Sequence, residues 1–285
     1  MGHSFDVKPL DASFGAIVTG IKLSSIDDAT WDDLYRTWLD YALLIFPEQH
    51  FTKEEQTAFA LRFGPAEFAL APISNVKSDG TLIAPDSDVV KVLKGNMGWH
   101  HDSTYMPVQA KGAVFSAVIV PASGGETGWA DTRAAYDALD SAMRAKVESL
   151  TAHHSLWYSQ SKLGHTPKKG SEYAGYGFHD GPVPLRPLVK THPETGRKCL
   201  TIGRHAHQIP GLTATESEKF LQELVDFACQ PPRIYHHKWT PGEAVVWDNR
   251  CLMHRAMPWD MSVPRVMWHS RIAGNPASES ALTAS

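Results

Sequence analysis

Two histidines and one aspartate supply the side-chain types of a metal site. In the segment from Asn96 to Ser103, His100 and Asp102 are two positions apart, and residues i and i+2 of an extended backbone point to the same face. His254 follows Asp102 after 152 residues (254 minus 102) and adds a second imidazole. Two imidazoles and one carboxylate around a ferrous ion leave positions open for a bidentate oxoacid and for O₂. These three residues are therefore our candidate metal-binding and catalytic residues.

Spacing alone does not single out this set, because the chain contains 15 histidines. His205 and His207 have the same separation, and adjacent pairs at 153–154 and 236–237 bring further imidazoles together. Most buried histidines are hydrogen-bonded to their neighbours and bind no metal. The residue pattern by itself leaves these alternatives open.

Capping residues and hydrophobic periodicity predict the elements that must hold these side chains. Capping boxes at Thr52–Glu55 and Thr213–Glu216 each predict the start of a helix. Further predicted elements are helices at 26–39 and 131–150, strands at 41–46, 111–120, 243–247 and 265–272, and a short strand pair within 13–23. Roughly the last ten residues are expected to be disordered. Without a βαβ rhythm, a linker or an internal repeat, we expect one domain spanning 1–285.

The composition is that of an ordinary soluble globular protein. Hydrophobic residues make up 42% and charged residues 20% of a 285-residue chain, a length that one barrel-like domain can reach. The net charge of −4 comes without a Lys/Arg run, which argues against a nucleic-acid partner and favours a small molecule. No apolar run approaches the roughly 18 residues of a membrane span, so no membrane partner is expected. Three cysteines without CxxC spacing indicate a reducing compartment, and we expect the cytoplasm.

Several short motifs follow one another along almost the whole chain. They are Leu43-Leu44-Ile45-Phe46, Glu54-Glu55-Gln56, Arg62-Phe63-Gly64, Trp99-His100-x-Asp102, Gly124-Gly125-x-Thr127, His192-Pro193-Glu194-Thr195-Gly196, and Pro241-Gly242 leading into Trp247-Asp248-Asn249-Arg250 and His254. Together they resemble the taurine dioxygenase and 2,4-dichlorophenoxyacetate dioxygenase family. The resemblance implies an α+β, mainly β fold with a double-stranded β-helix (jelly roll, cupin-like) core and flanking helices.

The same resemblance implies how the cofactors are bound. It makes His100, Asp102 and His254 the ligands of Fe(II), with 2-oxoglutarate and O₂ as cosubstrates. His205 and His207 then fall outside the metal site, at the surface or behind the ligands.

For 2-oxoglutarate, the resemblance implies an arginine eleven residues beyond the distal histidine, acting with a threonine. The matching positions are Arg265 (254 plus 11) and Thr127. A guanidinium fork matches a carboxylate bidentately and a hydroxyl adds a third donor, so the pair would both anchor and orient the far carboxylate of the cosubstrate.

On the substrate side, the sequence departs from the family pattern. Where a second arginine is expected, fifteen residues beyond the distal histidine, this chain has His269. Alternation along a strand puts Arg271 on the same face, so we expect Arg271 to anchor the substrate carboxylate with help from Ser103, and His269 is the alternative. Asn96 matches a position that lines the substrate pocket in the family, although it could equally be a turn residue.

Within the family, the stretches 95–107, 154–165 and 202–207 are most similar to the (S)-phenoxypropionate, or aryloxyalkanoate, dioxygenase type. This implies hydroxylation of an aryloxyalkanoate, with (S) preference, and cleavage of its ether to a phenol and pyruvate or glyoxylate, alongside succinate and CO₂. Tyr105, Trp157 and Tyr158 could stack on the aryl ring beneath a lid at 156–165. We also expect a homo-oligomer.

Three other functions fit parts of the pattern. A sulfonate or alkylsulfate dioxygenase would use the same iron site on a tetrahedral anion. A metal-binding jelly-roll sensor without oxygenase activity would not need Arg265 or Thr127. A zinc hydrolase is less well supported, because the sequence lacks a general base placed as in HExxH.

Overall fold

In the computed structural model, residues 4–165 and 181–282 are described, and they form an α+β fold built around β-sheets. The helices in these ranges are α1 (Asp28–Tyr41), α2 (Lys53–Leu61), α3 (Asp88–Gly95), α4 (Thr132–Ala138), α5 (Ser141–Glu148), α6 (Leu156–Ser161), α7 (Ala214–Ala228) and α8 (Pro276–Glu279). The strands are β1 (Asp6–Pro9), β2 (Ala16–Thr19), β3 (Leu43–Phe46), β4 (Ala71–Ser74), β5 (Gly112–Ile119), β6 (Thr127–Asp131), β7 (Thr151–His154), β8 (Leu185–Pro187), β9 (Val189–Thr191), β10 (Lys198–Leu200), β11 (Ala206–His207), β12 (Ile234–His237), β13 (Ala244–Asp248), β14 (Leu252–Ala256) and β15 (Val266–Ile272). None of these helices is both long and apolar enough to cross a bilayer.

Two sheets face each other across the centre of the fold. The larger sheet has the strand order β1-β2-β3-β13-β5-β15-β4, and the smaller has the order β12-β6-β14. Phe115 of β5 and Met267 of β15 lie in the same buried cluster as Trp129 of β6 and Leu252 of β14. Inner-face side chains of both sheets therefore fill one layer, as in a jelly-roll sandwich.

Helices cover the outer faces of the two sheets. Because side chains alternate along a strand, Val114 and Val246 point away from the central layer and pack with Trp38 of α1 and Phe59 of α2. On the other side, α4 and α7 pack with Met253 of β14. Helices thereby bury the outer faces of both sheets, behind the layer that carries the candidate site.

The two helix starts predicted from capping boxes are present in the structure. Both capping boxes are present, with the threonine and glutamate side chains each bonded to the other residue's backbone. The predicted helix at 131–150 is instead two helices, because Asp140 accepts from the backbone N–H of Met143 and starts α5 anew after an extended Leu139. The strand pair predicted within 13–23 is also wrong, since β2 pairs with β1 upstream.

Residues 276–282 of the C-terminal segment are ordered, contrary to the disorder expected of them. Ser280 forms a bridge with Val108, and Leu282 forms one with Leu185. The buried Arg186 guanidinium donates to the backbone carbonyls of Thr104 and Glu279, so it joins this segment to the loop that follows Asp102. The C-terminus thus supports the region of the candidate site.

Candidate active site

His100 and His254 come together through a backbone pairing. The two residues exchange both N–H···O=C bonds, at 3.0 and 2.7 Å, although His100 lies outside any longer strand. Residues paired in this way present their side chains on the same face. Their ring centroids are 4.3 Å apart, so a sequence separation of 154 positions (254 minus 100) becomes a direct contact.

Asp102 reaches the same point from a turn rather than from an extended strand. Its backbone N–H donates to Asn249 Oδ1 at 2.7 Å, and Asn249 Nδ2 donates to the carbonyls of Asp102 and Ala110, both at 2.9 Å. The buried Asn249 amide therefore fixes the turn through three hydrogen bonds. The extended backbone assumed from the sequence spacing is wrong here, yet the spacing still brings the two side chains together.

We expect Asn249→Ala to lower the stability of the protein and weaken metal binding together. Loss of the amide leaves the buried backbone groups of Asp102 and Ala110 without partners, at a cost of about 2–4 kcal/mol. Thermal unfolding and Fe(II) titration measure the two effects. Asn249→Asp keeps the acceptor for the Asp102 N–H but sets a carboxylate oxygen against the two buried carbonyls, so it should be no more stable than Asn249→Ala. An alanine variant with unchanged Fe(II) affinity would contradict this role.

The donor set fits a divalent transition metal. The ligand atoms of His100, Asp102 and His254 all lie within 4.8 Å of one another, and all three residues are buried. His100 Nδ1 is 2.7 Å from Gly98 O, so Nδ1 carries the proton and Nε2 keeps its lone pair for the cluster. Asp102 Oδ2 is buried and makes no hydrogen bond within the described residues, as expected of an atom that awaits a metal.

These groups are held in the protonation states that metal binding needs. Burial alone would raise the pKa of Asp102, but Arg271 and the neighbouring imidazoles bring it well below its usual value. Burial lowers the pKa of His254 to about 4 and that of His100 well below its usual value. At neutral pH the carboxylate is ionised and both imidazoles are neutral, so no proton competes with the metal.

Arg271 contacts Asp102 directly. Its Nη2 lies 3.2 Å from Asp102 Oδ1, and its Nη1 donates to Ser103 Oγ at 3.0 Å. Ser103 donates in turn to Glu67 at 2.9 Å, and it does not border the cavity that opens onto the three candidate ligands. The Ser103 hydroxyl is therefore engaged by Glu67 and Arg271, and its expected role in substrate binding stays a prediction. Arg271 is placed to hold Asp102 in position.

His269 and Asn96 both line the cavity. His269 lies parallel to the Trp247 ring at 5.8 Å, with its Nε2 3.6 Å from Asp102 Oδ2. Asn96 ends α3 and accepts a backbone bond from Ala256 on β14. Both can therefore shape the substrate side of the cavity.

Arg265 and Thr127 both line the cavity, and Thr127 begins β6, the central strand of the small sheet. The Arg265 guanidinium is buried, lies over the Trp259 ring at 5.0 Å, and donates to Gly125 O at 3.1 Å. Gly125 has φ +73°, and a Cβ there would lie 3.2 Å from Arg265 Nε, which explains the glycine in the Gly124-Gly125-x-Thr127 motif. A cation and a hydroxyl thus face the cavity together, as the cosubstrate prediction requires.

His205 lies beside the candidate metal ligands rather than at the surface. Its buried ring meets His100 edge-to-face at 5.6 Å and Tyr105 at 4.7 Å, and its Nδ1 is bonded to Ser159 Oγ. The chain passes this close because Gly203 has no side chain: a Cβ there would lie 3.1 Å from His100 Cα. The surface alternative is therefore wrong for His205.

The lid-like segment contributes a different set of side chains from the predicted one. Leu156 and Gln160 of α6 line the cavity together with Tyr105. Trp157 is 41% exposed, and Tyr158 stacks on His207 at 4.4 Å. Neither aromatic residue borders the cavity, so of the three predicted ring contacts only the one from Tyr105 fits the structure.

A second cluster of possible ligands, His192, Asp248 and Cys251, is a structural network. His192 Nδ1 accepts from backbone N–H groups, and its Nε2 lies 2.9 Å from Asp248 Oδ2. Arg250 also donates to both oxygens of Asp248. With the imidazole lone pair and the carboxylate both engaged, this cluster ties the His192-to-Gly196 motif to the Trp247-to-Arg250 motif.

Three residues with polar side chains line the cavity but have no role in the sequence prediction: Gln160, Arg204 and Arg255. Gln160 and Arg204 lie within stretches that carry the family likeness, but nothing in their spacing separates them from surface residues. Only the tertiary structure reveals them, because each of the three residues reaches the cavity from a different part of the fold.

Comparisons with known proteins give a consistent result. The family model described as "Taurine catabolism dioxygenase TauD, TfdA family" matches residues 6–271. The chain is 68% identical to an (S)-phenoxypropionate/alpha-ketoglutarate-dioxygenase of Sphingobium herbicidovorans, and the match covers 99% of each chain. It is 36% identical to an alpha-ketoglutarate-dependent 2,4-dichlorophenoxyacetate dioxygenase of Cupriavidus pinatubonensis, and this match covers 90% of the chain and 93% of the relative.

Solved structures agree with these sequence matches. A crystal structure of AAD-2 with Mn(II) and N-oxalylglycine superposes with a TM-score of 0.89 at 37% identity, covering 98% of this chain and 99% of that one. A taurine dioxygenase structure from Burkholderia xenovorans superposes at 0.77 with 26% identity, covering 99% and 97%, and the predicted jelly-roll fold is thereby confirmed.

Proposed function

The chain belongs to the TauD, TfdA family of dioxygenases and is a 2-oxoglutarate-dependent oxygenase, and from this premise we propose that its substrate is an aryloxyalkanoate. The observation that supports this substrate most strongly is the 68% identity, over 99% of both chains, to a relative named for (S)-phenoxypropionate. We propose that the (S)-enantiomer is preferred and that Fe(II) is bound by His100, Asp102 and His254.

Bound there, Fe(II) with 2-oxoglutarate and O₂ supplies the oxidising power for C–H hydroxylation, and 2-oxoglutarate leaves as succinate and CO₂. Hydroxylation of the carbon that bears the ether oxygen gives a hemiketal or hemiacetal. The C–O bond to the aryloxy group then breaks, the phenol takes up the proton, and the former acid becomes pyruvate or glyoxylate. The reaction balances with 2-oxoglutarate as the only reductant besides the substrate.

The chain's own residues position the reactants and exclude water. Arg265 and Thr127 orient the far carboxylate of 2-oxoglutarate, while Asn249 and Arg271 hold Asp102 in place. Leu156 and the other side chains of the lid and inner sheets enclose the reacting carbon. Specificity is then geometric, because an anchored carboxylate and an enclosed ring decide which hydrogen faces the metal.

This function is tested by turnover of a small panel of substrates. Protein loaded with Fe(II) and 2-oxoglutarate should release succinate and phenol from (S)-2-phenoxypropionate, with kcat/KM at least about 10-fold above that for the (R)-enantiomer. Taurine should give no succinate above the rate without substrate. Equal rates for both enantiomers would defeat the (S) preference, and turnover of taurine alone would replace the proposal by a sulfonate dioxygenase.

Compartment and assembly stay proposals. Cys199, Cys229 and Cys251 are all free, which fits a reducing compartment such as the cytoplasm. We retain the homo-oligomer as a prediction.

A further inference from the structure

Gln160 and Arg204 present unpaired polar atoms to the active-site cavity. Gln160 is completely buried, and neither atom of its amide makes a hydrogen bond within the described residues. The Nε and Nη1 atoms of Arg204 are likewise buried and without a hydrogen-bond partner there. Buried polar groups, and charged groups above all, are costly when unpaired, so their position at a cavity wall indicates a ligand that supplies the partners.

Two glycines, Gly95 and Gly98, leave the space that these two side chains occupy. A Cβ at Gly98 would lie 3.1 Å from Arg204 Cδ, so the arginine side chain passes directly over this residue. A Cβ at Gly95 would lie 2.7 Å from Arg204 Nη1 and 2.8 Å from Gln160 Nε2. The guanidinium and the amide, from a loop and from α6, therefore converge above the end of α3.

Of the three other arginines that line the cavity, Arg265 and Arg271 already have acceptors, and Arg255 lies over the Trp99 ring at 5.4 Å. Arg265 donates to Gly125 O, and Arg271 is paired with Asp102 and bonded to Ser103. Burial lowers the pKa of Arg204 to about 10, which leaves it charged at neutral pH. Arg204 is thus a charged donor whose Nε and Nη1 can bind an anion in the cavity.

That anion has to be distinguished from 2-oxoglutarate. In the proposed function the cosubstrate's two carboxylate ends are taken by the metal and by Arg265 with Thr127. The aryloxyalkanoate brings a third carboxylate, attached to the carbon that is hydroxylated. Arg204 directly precedes His205, whose ring contacts that of His100, so a carboxylate held there stays beside the metal ligands.

We propose that Arg204 and Gln160 bind the carboxylate of the aryloxyalkanoate substrate, the role that the sequence prediction gives to Arg271. This assignment rests on the proposed function. The guanidinium offers planar N–H donors that match a carboxylate, and the amide of Gln160 adds a neutral donor from the lid segment. Binding of the substrate carboxylate thereby gives both buried groups a hydrogen-bond partner.

Steady-state kinetics of Arg204→Met test the assignment. We expect KM for (S)-2-phenoxypropionate to rise by about 10- to 100-fold, because a charge-assisted interaction is lost, while KM for 2-oxoglutarate changes less than about twofold. Arg204→Lys should give an intermediate KM, since it keeps the charge without the planar fork. Gln160→Leu should raise KM by about 3- to 10-fold. Arg36→Met, which removes a 70% exposed arginine on α1, is the charge-matched control and should behave as wild type.

Two further measurements separate substrate binding from a structural role. Wild type should discriminate strongly between phenoxypropionate and its neutral carboxamide, and Arg204→Met should lose most of that discrimination. The visible band of the anaerobic Fe(II)–2-oxoglutarate complex should still form in the variant, but its shift should need a higher phenoxypropionate concentration. Gly95→Ala should also raise KM, because its methyl group intrudes where both side chains meet.

The outcomes are distinguishable. If wild type releases no phenol from either enantiomer, the proposed function fails, and this assignment fails with it. If wild type is active and Arg204→Met matches Arg36→Met, only the carboxylate assignment fails. A rise in KM for 2-oxoglutarate instead would overturn it in favour of a cosubstrate ligand, and so would a variant that keeps the discrimination against the carboxamide.

Discussion

Asp102→Ala should reduce succinate release below about 0.1% of wild type, because the metal that carries the chemistry loses its anionic ligand. It also leaves the buried guanidinium of Arg271 without the carboxylate that it faces at 3.2 Å. Fe(II) affinity should therefore fall together with turnover. Titration with Fe(II) under anaerobic conditions and a succinate assay measure the two effects on the same protein.

His205 provides the matched control for this prediction. It is buried in the same cavity, and its ring lies 5.6 Å from that of His100, yet it stands outside the proposed ligand set. His205→Ala should bind one equivalent of Fe(II) with nearly wild-type affinity. Full Fe(II) binding by Asp102→Ala, or none by His205→Ala, would move the metal site away from His100, Asp102 and His254.

The features that were predictable from sequence are those fixed by neighbours along the chain. The capping boxes that begin α2 and α7 need only one threonine and one glutamate three positions later, so the local pattern determines them. The inner face of β15 is equally local, because strand alternation puts His269 and Arg271 on one side, and Arg265 directly precedes the strand. The family motifs added the likeness in fold and chemistry, which the comparisons confirm.

What could not be predicted depends on partners from distant parts of the chain. The side chain of Ser103 is adjacent in sequence to a candidate ligand, but Glu67 and Arg271 take its hydroxyl. His205 was expected at the surface or behind the ligands, and its place beside His100 follows from the close approach at Gly203. In each case the choice among several hydrogen-bonding or packing partners is made by the tertiary structure.

The same reason explains why the sequence favours Arg271 as the substrate anchor, whereas we propose Arg204. Arg271 and Arg204 both carry a guanidinium that can match a carboxylate, and sequence alone gives no account of what each already contacts. In the structure Arg271 faces Asp102, whereas Nε and Nη1 of Arg204 have no hydrogen-bond partner within the described residues. We therefore propose Arg204 for the substrate carboxylate because its donors lack an acceptor, and not because of its residue type.

Arg265→Ala should raise KM for 2-oxoglutarate by about 100-fold, since a buried charge-assisted contact with the far carboxylate is lost. KM for the aryloxyalkanoate should change little, because its carboxylate is proposed to bind elsewhere. Arg265→Lys keeps the charge and should recover part of the loss. Initial rates at varied 2-oxoglutarate measure the effect, and an unchanged KM for 2-oxoglutarate would refute the role of Arg265.

Thr127 should matter through the direction of its hydroxyl hydrogen. Trp239 Nε1 donates to Thr127 Oγ1 at 2.9 Å, which occupies a lone pair of the oxygen and leaves its own hydrogen for an acceptor in the cavity. Thr127→Val removes that donor and also leaves the buried indole N–H of Trp239 unpaired, so KM for 2-oxoglutarate should rise by about 10-fold with some loss of thermal stability. Thr127→Ser keeps the hydroxyl and should restore KM. If the serine variant binds 2-oxoglutarate as poorly as the valine variant, the methyl group rather than the hydroxyl of Thr127 serves the cosubstrate.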